Sequence, residues 1–542
     1  MENEFGLQIF RTKRAQWLMQ RLLPVLLALF SLGPARGAQT LELSRADYQD
    51  RVEAIWTAQI AAVILAWPHE HQVASTLWLT NFSKPYTRAP IDDDWYYEMC
   101  AVRGFEKYGI AMTVEQLGQQ WLENHCGSWG SSEQARLNLE RGIKAPDCGH
   151  PRYNKLWFTI GPQFSSDVYG AVAPGMINAA GRMARQYGHI NGFAEGTDGA
   201  VFMAAMVSMA FAEKDPRQVV RQAAQLLHRD SPYRKCLDLV ITMAEAGKTF
   251  AEIAAAIENT WHIEYPATNN AVSNGGLVAL SLWFGEGDFL KTVNLAARAA
   301  DFTDADCNAA NAAAVIGAMH GMKAIPPHLV AQLGDRIVGA EMGGVKLSPP
   351  VDEKISELSK RTAAIGEKIV AANGGKIVGD RMSIVVTEPV AQPAELFKLS
   401  DLMQFWNAEW QLDRAGFGGA GGGMGGIRGI THLAGDVLAT YPRDEVRGLV
   451  LRRLAKLGAA PKLHFEAGVD TGRAWELNVY ADNKLMLKKT IDGLGSPDRK
   501  WEPIDVDLRE FAGRETHLRL YQRVLVPNRV AGNAYWKNLR LE

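Results

Sequence analysis

From Tyr48 to about residue 400, apolar positions recur at helical spacing, and beyond about residue 430 the period falls to two. Trp56, Ile60, Val63 and Ile64 predict one buried helix over Tyr48–Glu70. Trp95, Met99, Val102 and Phe105 predict a second, ending at Gly109. Thr113-Val114-Glu115-Gln116 reads as a capped start, with Thr113 as cap and Gln116 reaching back to it. Further helical runs are Ala200 to Ala212, a stripe of Val219, Ala223 and Leu226, then Ala251 to Ile257, Leu277 to Phe284, Leu290 to Ala300 and Ala309 to Met322. Leu277 to Phe284 is too short to span a bilayer and reads as a core helix. A peripheral helix over Asp352–Asn373, a strand over Met382–Val386 and a helical patch over Leu399–Trp410 complete this part.

The tail alternates. Leu463/Phe465, Leu477/Val479, Leu485/Leu487, Ile504/Val506/Leu508 and Leu518/Leu520 each put apolar side chains on one face of a strand, with turns at Asp482-Asn483 and Ala512-Gly513. Several short strands in series predict a β-sandwich or jelly roll. The fold expected is therefore multidomain. A mainly α-helical domain spans 38–390, a helical and glycine-rich connector 391–429, and an all-β accessory domain 430–542. The connector holds nine glycines between Gly416 and Gly429. Trp475, Trp501 and Trp536 either stack on a sugar or fill the sandwich core.

Composition narrows the class. The 542 residues carry a formal net charge of -2, which implies no broad attraction to nucleic acid. Residues 1–37 have the order of a secretory leader: Arg11, Lys13, Arg14 and Arg21, an apolar run Leu22–Leu32, then Ala35-Arg36-Gly37. Cleavage after about Gly37, which Pro24 and the small-residue exit favour over an uncleaved anchor, leaves a secreted or periplasmic protein with no transmembrane segment. Five cysteines cannot all pair in one monomer. Cys126 and Cys148 flank one loop-rich stretch and can pair in an oxidising compartment. No CxxC metal pattern occurs.

The candidate chemistry lies at two helix entrances. Asp301, Asp304 and Asp306 precede the run Ala309–Met322, and Asp92-Asp93-Asp94 opens the second helix. Partly buried carboxylates repel one another, and a hard divalent cation relieves that repulsion. Either cluster alone also reads as acidic helix caps, with Asp306 or Asn308 as cap of the late helix. Two such entrances over about 200 residues apart suit one shared metal site better.

This pair of clusters resembles the ADP-ribosylglycohydrolase family, over about Tyr48 to Lys376. The early triple-Asp cluster and the late Asp304-Ala305-Asp306-Cys307-Asn308, followed by Ile316-Gly317-Ala318, carry the resemblance, which is to a bacterial branch of the family. It implies a helical catalytic domain with two Mg²⁺-type ions, Mn²⁺ being the alternative, held by Asp92, Asp93, Asp94, Asp304, Asp306 and Cys307. It places Glu70 beside the metals, so that Glu70 or a metal-site acid such as Asp93 shuttles the proton. Asp167, in Ser165-Ser166-Asp167, is expected in or near the cleft. His189 and Asp198 fall in glycine-rich stretches where the family has ligand-facing loops, and Asn270 either faces the ligand or caps a helix. The first helix departs from the family, with Ala54, Ala58, Ala62 and Ala66 where glycines are common. The function implied is metal-dependent hydrolysis of an ADP-ribosyl linkage on a small molecule or modified protein. The tail resembles carbohydrate-binding sandwiches of secreted enzymes, so a secreted carbohydrate hydrolase and a non-catalytic glycan- or ligand-binding protein are the alternatives.

Overall fold

The first helical pattern forms α1 (Arg45–Ala66), capped by Ser44, whose hydroxyl accepts from Asp47 N–H at 2.9 Å. Every residue from Ala54 to Ala66 is buried. A helix that is apolar all round belongs in the centre of a domain. Three others share that character: α4 (Glu195–Ala210), α5 (Ala271–Gly285) and α6 (Ala305–His320). Between α1 and α4 lie α2 (Asp93–Tyr108) and α3 (Val114–Asn124). The expected box is present on α3: Gln116 N–H donates to Thr113 Oγ1 at 3.2 Å, and Thr113 N–H to Gln116 Oε1 at 2.8 Å.

This computed structural model describes residues 39–418 and 427–542. The expected leader and the middle of the glycine run lie outside the described residues. No described helix is long and apolar enough to cross a membrane.

Close approach between α1 and α6 is set by Gly317, not by the first helix. A Cβ on Gly317 would stand 2.6 Å from the carbonyl oxygen of Ala54. The alanines that replace the expected glycines of α1 are themselves wholly buried. One small residue per crossing is enough, and here α6 supplies it.

Several boundaries differ from the pattern. Asp352 and Glu353 end a strand, Val345–Glu353, and the peripheral helix starts at Ile355 and ends at Ala372. The patch over Leu399–Trp410 is two short turns, Leu399–Leu402 and Met403–Trp406. Their Leu402 and Met403, with Trp410 and Leu412, belong to the apolar core of the β region.

That region is two sheets packed face to face, antiparallel except where Val530–Ala531 pairs in parallel with Arg473–Ala474. One runs in the order Lys484–Asp492, Arg473–Ala481, Glu515–Arg523, Leu449–Lys456, Gln411–Asp413. The other runs Lys500–Asp507, Lys462–Val469, Ala534–Leu541, Val437–Thr440, His432–Ala434. Leu412 lies opposite Leu451, so a strand from the connector extends the first sheet. Trp475 and Trp536 meet between the sheets with ring centroids 5.0 Å apart. Both are wholly buried, and their N–H groups bond Gly468 O and Thr440 Oγ1 at 2.9 and 2.8 Å. They are core residues and not sugar platforms. Trp501 is half-buried, with Lys537 over its ring at 4.3 Å. Leu485 is exposed, because its strand is the sheet edge.

The helical and β regions meet at the connector. Phe417 packs on Phe158 with centroids 4.2 Å apart and stacks on Tyr265 at 5.9 Å, within the helical core.

Candidate metal centre and active site

Three chain segments converge on one cleft of about 850 Å³, a size suited to a nucleotide-sized ligand. The first follows α1. Pro68 lacks an N–H and ends the α-helix in a short turn, Trp67–His69, which delivers Glu70 and His71. The second is the start of α2, with Asp92, Asp93 and Asp94. The third is the turn Asp301–Asp304 and the start of α6, with Asp306 and Cys307.

The first and third segments are zipped together. His71 N–H donates to Thr303 O at 2.9 Å, and Phe302 N–H to Gln72 O at 2.7 Å. Asp301 accepts from Ala74 N–H at 2.8 Å, so this acid secures the loop. His71 and Phe302 both have left-handed backbones, φ 53°, which is uncommon outside glycine and typical of constrained functional turns.

The acids do different work. Asp92 caps α2, its Oδ1 accepting from Asp94 N–H at 3.3 Å. Asp304 occupies the cap position of α6 but makes no side-chain capping bond, and neither Asp306 nor Asn308 caps it. Asp304 Oδ2 instead accepts from Asn269 Nδ2 at 2.5 Å and lies 3.7 Å from His71 Nε2. Behind it, Asn274 Oδ1 accepts from Asp304 N–H at 3.2 Å and Asn308 Nδ2 at 2.7 Å. Cys307 Sγ donates to Asp94 Oδ2 at 3.2 Å.

Crowding sets the protonation. Burial, then the neighbouring carboxylates, push Asp93, Asp94 and Asp306 well above the usual range. Asp92 is pushed up to about 6, chiefly by burial. Burial also raises Asp304, but the adjacent His71 outweighs it and holds this carboxyl low. Glu70 is pushed up to about 7 by burial and then by the charge of Asp304. Burial raises the Cys307 thiol well above its ordinary value, so it is protonated at neutral pH and serves as a donor.

The residues present fit a hard cation. Asp94 Oδ1, Asp304 Oδ1 and Asp306 Oδ1 are buried with no hydrogen-bond partner among the described residues. Asp92, Asp93 and Asp94 bring oxygens within 4.8 Å of one another, and so do Asp94 and Asp306 together with the Cys307 sulfur. Carboxylate oxygens are what Mg²⁺, Mn²⁺ or Ca²⁺ take, and a thiol is a poor ligand for them. The buried acid clusters can therefore hold a metal.

Four residues expected at the substrate lie elsewhere. Asp167 is wholly buried one layer deeper, its Oδ2 accepting from Asn311 Nδ2 at 3.2 Å beside Glu98. His189 pairs with Glu395 at 2.7 Å. Asp198 sits inside the first turn of α4, because that helix starts at Glu195 and not near Ala200; Arg185 and Ser231 both donate to it. Glu395, from the connector, accepts from Ala194 N–H at that helix start, also at 2.7 Å. Asn270 caps α5, accepting from Ser273 N–H at 2.8 Å.

Sequence spacing gave no reason to choose His71, Asn269, Trp129, Phe302 or the pair Glu258 and His262, all of which line the cleft. His262 Nδ1 and Glu258 Oε2 are 2.7 Å apart on a π-helical turn, Glu258–His262, a local widening that often marks a functional segment.

The family model described as ADP-ribosylglycohydrolase matches residues 44–365, which include all three converging segments. No curated protein matches the chain. Among solved structures, a chain described as "ADP-ribosylglycohydrolase-related protein complex" is similar at 14% identity with a TM-score of 0.42, covering 59% of this chain and 99% of that one.

Proposed function

Since the chain belongs to the ADP-ribosylglycohydrolase family, we propose that it hydrolyses the glycosidic bond between an ADP-ribosyl group and its acceptor, with divalent metal, Mg²⁺ first, as cofactor. One observation carries the reading. Three buried carboxylate oxygens, without partners among the described residues, at the starts of α2 and α6, share a cleft with Glu70.

Asp92, Asp93, Asp94, Asp304 and Asp306 are the residues that would hold the metal. When bound, it supplies a Lewis acid that orients ribose hydroxyls and polarises water. Asn269 fixes Asp304 by a hydrogen bond, with His71 Nε2 3.7 Å away, and Cys307 fixes Asp94, so both carboxylates are positioned before any ligand arrives. Glu70 stands at the partly open end of the cleft, 3.7 Å from His71 Nδ1 and beside the acid clusters. A carboxyl placed there can take a proton from water and return it to a leaving group. Trp67, Trp129 and Phe302 form an exposed aromatic rim that shields the acids from bulk water.

Calorimetry with Mg²⁺ and Mn²⁺ on wild type, Asp93→Asn and Asp304→Asn, paired with hydrolysis of ADP-ribosyl-arginine and ADP-ribosyl-serine, tests this. Loss of a ligand should weaken metal binding by at least the roughly 10–100-fold that loss of an outer-shell partner costs. Stability without metal should hold or rise in Asp93→Asn, whose carboxyl is crowded by neighbouring acids, and should fall in Asp304→Asn, whose charge His71 offsets. Unchanged metal affinity in both variants would remove the basis of the proposal.

A further inference from the structure

We infer that Cys100 and Cys126 form an intrachain disulfide in the mature protein, tying the acid-bearing helix α2 to the segment that leads into the Trp129–Ser132 lining of the cleft. The two sulfurs face each other 2.6 Å apart, and both residues are wholly buried. A disulfide bond is about 2.05 Å long, so closure needs an approach of only about half an ångström.

The backbone around the pair is already fixed in register. Tyr96 Oη donates to Asn124 O at 2.7 Å, and Arg103 Nη1 to Asn124 Oδ1 at 2.5 Å. Ser128 N–H donates to Tyr97 Oη at 3.0 Å. These bonds pin the segment on both sides of Cys126 to α2 on both sides of Cys100. Between them His125 takes a left-handed backbone, φ 55°, which turns the chain off α3 and presents Cys126 inward.

The other cysteines are placed differently. Cys126 faces Cys100, and Cys148 Sγ donates to Ile190 O at 3.0 Å, so the Cys126–Cys148 pairing that the sequence left open is not the one the fold brings together. Cys307 donates to Asp94. Cys236 is buried against Gly276.

The chemistry is thiol–disulfide exchange with an oxidised dithiol catalyst or a small-molecule disulfide. The thiolate of one cysteine attacks the oxidant's S–S bond, giving a mixed disulfide and releasing one oxidant thiolate. The second cysteine thiolate then attacks the protein sulfur of that mixed disulfide and releases the other. Overall one S–S bond forms and one breaks; the oxidant leaves as a dithiol if it is a dithiol catalyst, or as two thiols if it is a small disulfide, carrying two electrons and two protons. Both sulfurs are inaccessible in the folded protein, so exchange belongs to folding, before α2 and α3 close. The cross-link would hold Asp92–Asp94 at a fixed distance from Trp129 and Ser131, which also line the cleft. It does so whatever reaction the cleft performs.

The full chain, residues 1–542, exported to an oxidising compartment, is acid-quenched, denatured and alkylated with and without prior reduction. Intact mass should show three of the five cysteines labelled before reduction and all five after. Peptide mapping should recover a fragment joining Cys100 to Cys126. Five labels without reduction, or a linked fragment joining any other pair, would overturn the inference. Thermal melts provide the second arm. Wild type should lose several degrees in phosphine reductant, while Cys100→Ala/Cys126→Ala should melt identically with and without it. A wild-type Tm indifferent to reductant under conditions that alkylation shows to have opened the bond would refute the bracing role.

Discussion

Cys307 Sγ donates to Asp94 Oδ2 at 3.2 Å, joining two motifs 213 residues apart in the chain. The thiol occupies a position from which a hydroxyl could ligate a hard cation directly. Cys307→Ser preserves the donor and supplies a harder atom. It should fold with an unchanged Tm and bind Mg²⁺ as tightly as wild type or several-fold more tightly. Mg²⁺ titration by calorimetry checks this, and tenfold weaker binding would show that the serine oxygen does not assist the site.

Gly317 sets the crossing of α1 and α6. Alanine normally favours a helix interior over glycine by about 1 kcal/mol. Here its Cβ would lie 2.6 to 3.0 Å from backbone atoms of Ala54 and Ile55, which cannot yield without moving α1. Overpacking of this kind costs roughly 1–3 kcal/mol and outweighs the propensity gain. Gly317→Ala should therefore lower the urea midpoint; a raised midpoint would mean that the helices separate freely.

Glu195 gives a stability signature with a definite sign. It is buried, Tyr265 Oη donates to its Oε1 at 2.8 Å, and burial pushes it up to about 8 from an ordinary 4.5. Between those values the native state holds a proton that the unfolded chain has released, so stability falls as pH rises from about 4.5 to 8. Glu195→Gln keeps the acceptor and removes the titration. Its stability relative to wild type should grow by roughly 2–4 kcal/mol across that window, at about 1.4 kcal/mol per unit less incomplete burial effects. Urea melts at pH 5 and pH 8 decide it; a constant difference between variant and wild type would refute the assignment.

Phe417 ties the connector to the helical core through Phe158 and Tyr265. Phe417→Ala should destabilise by about 3 kcal/mol, as removal of a buried aromatic does. Limited proteolysis should then cut near the connector first. A variant with wild-type stability and cleavage pattern would show that this contact contributes nothing.

The sequence by itself determined the two periods, the helical class of the first part and the antiparallel strands of the tail, because burial of one face repeats every 3.6 or two residues. It also marked Asp92–Asp94, Asp304 and Asp306, since acids at helix entrances are visible as short motifs. Their meeting was a matter of tertiary structure. Only packing of α1 on α6 and zipping of the His71 and Phe302 turns bring Glu70, His71, Asn269 and the two acid clusters to one cleft. Asp167, Asp198 and Asn270 look alike in sequence to a ligand-facing polar residue, yet each spends its side chain on a buried bond or a helix cap. Which partner a polar side chain meets depends on contacts between distant segments, and local spacing carries no record of them. The cysteines show the same division: their number and order were legible, but Cys126 faces Cys100 because Tyr96 and Tyr97 hold the end of α3 against α2.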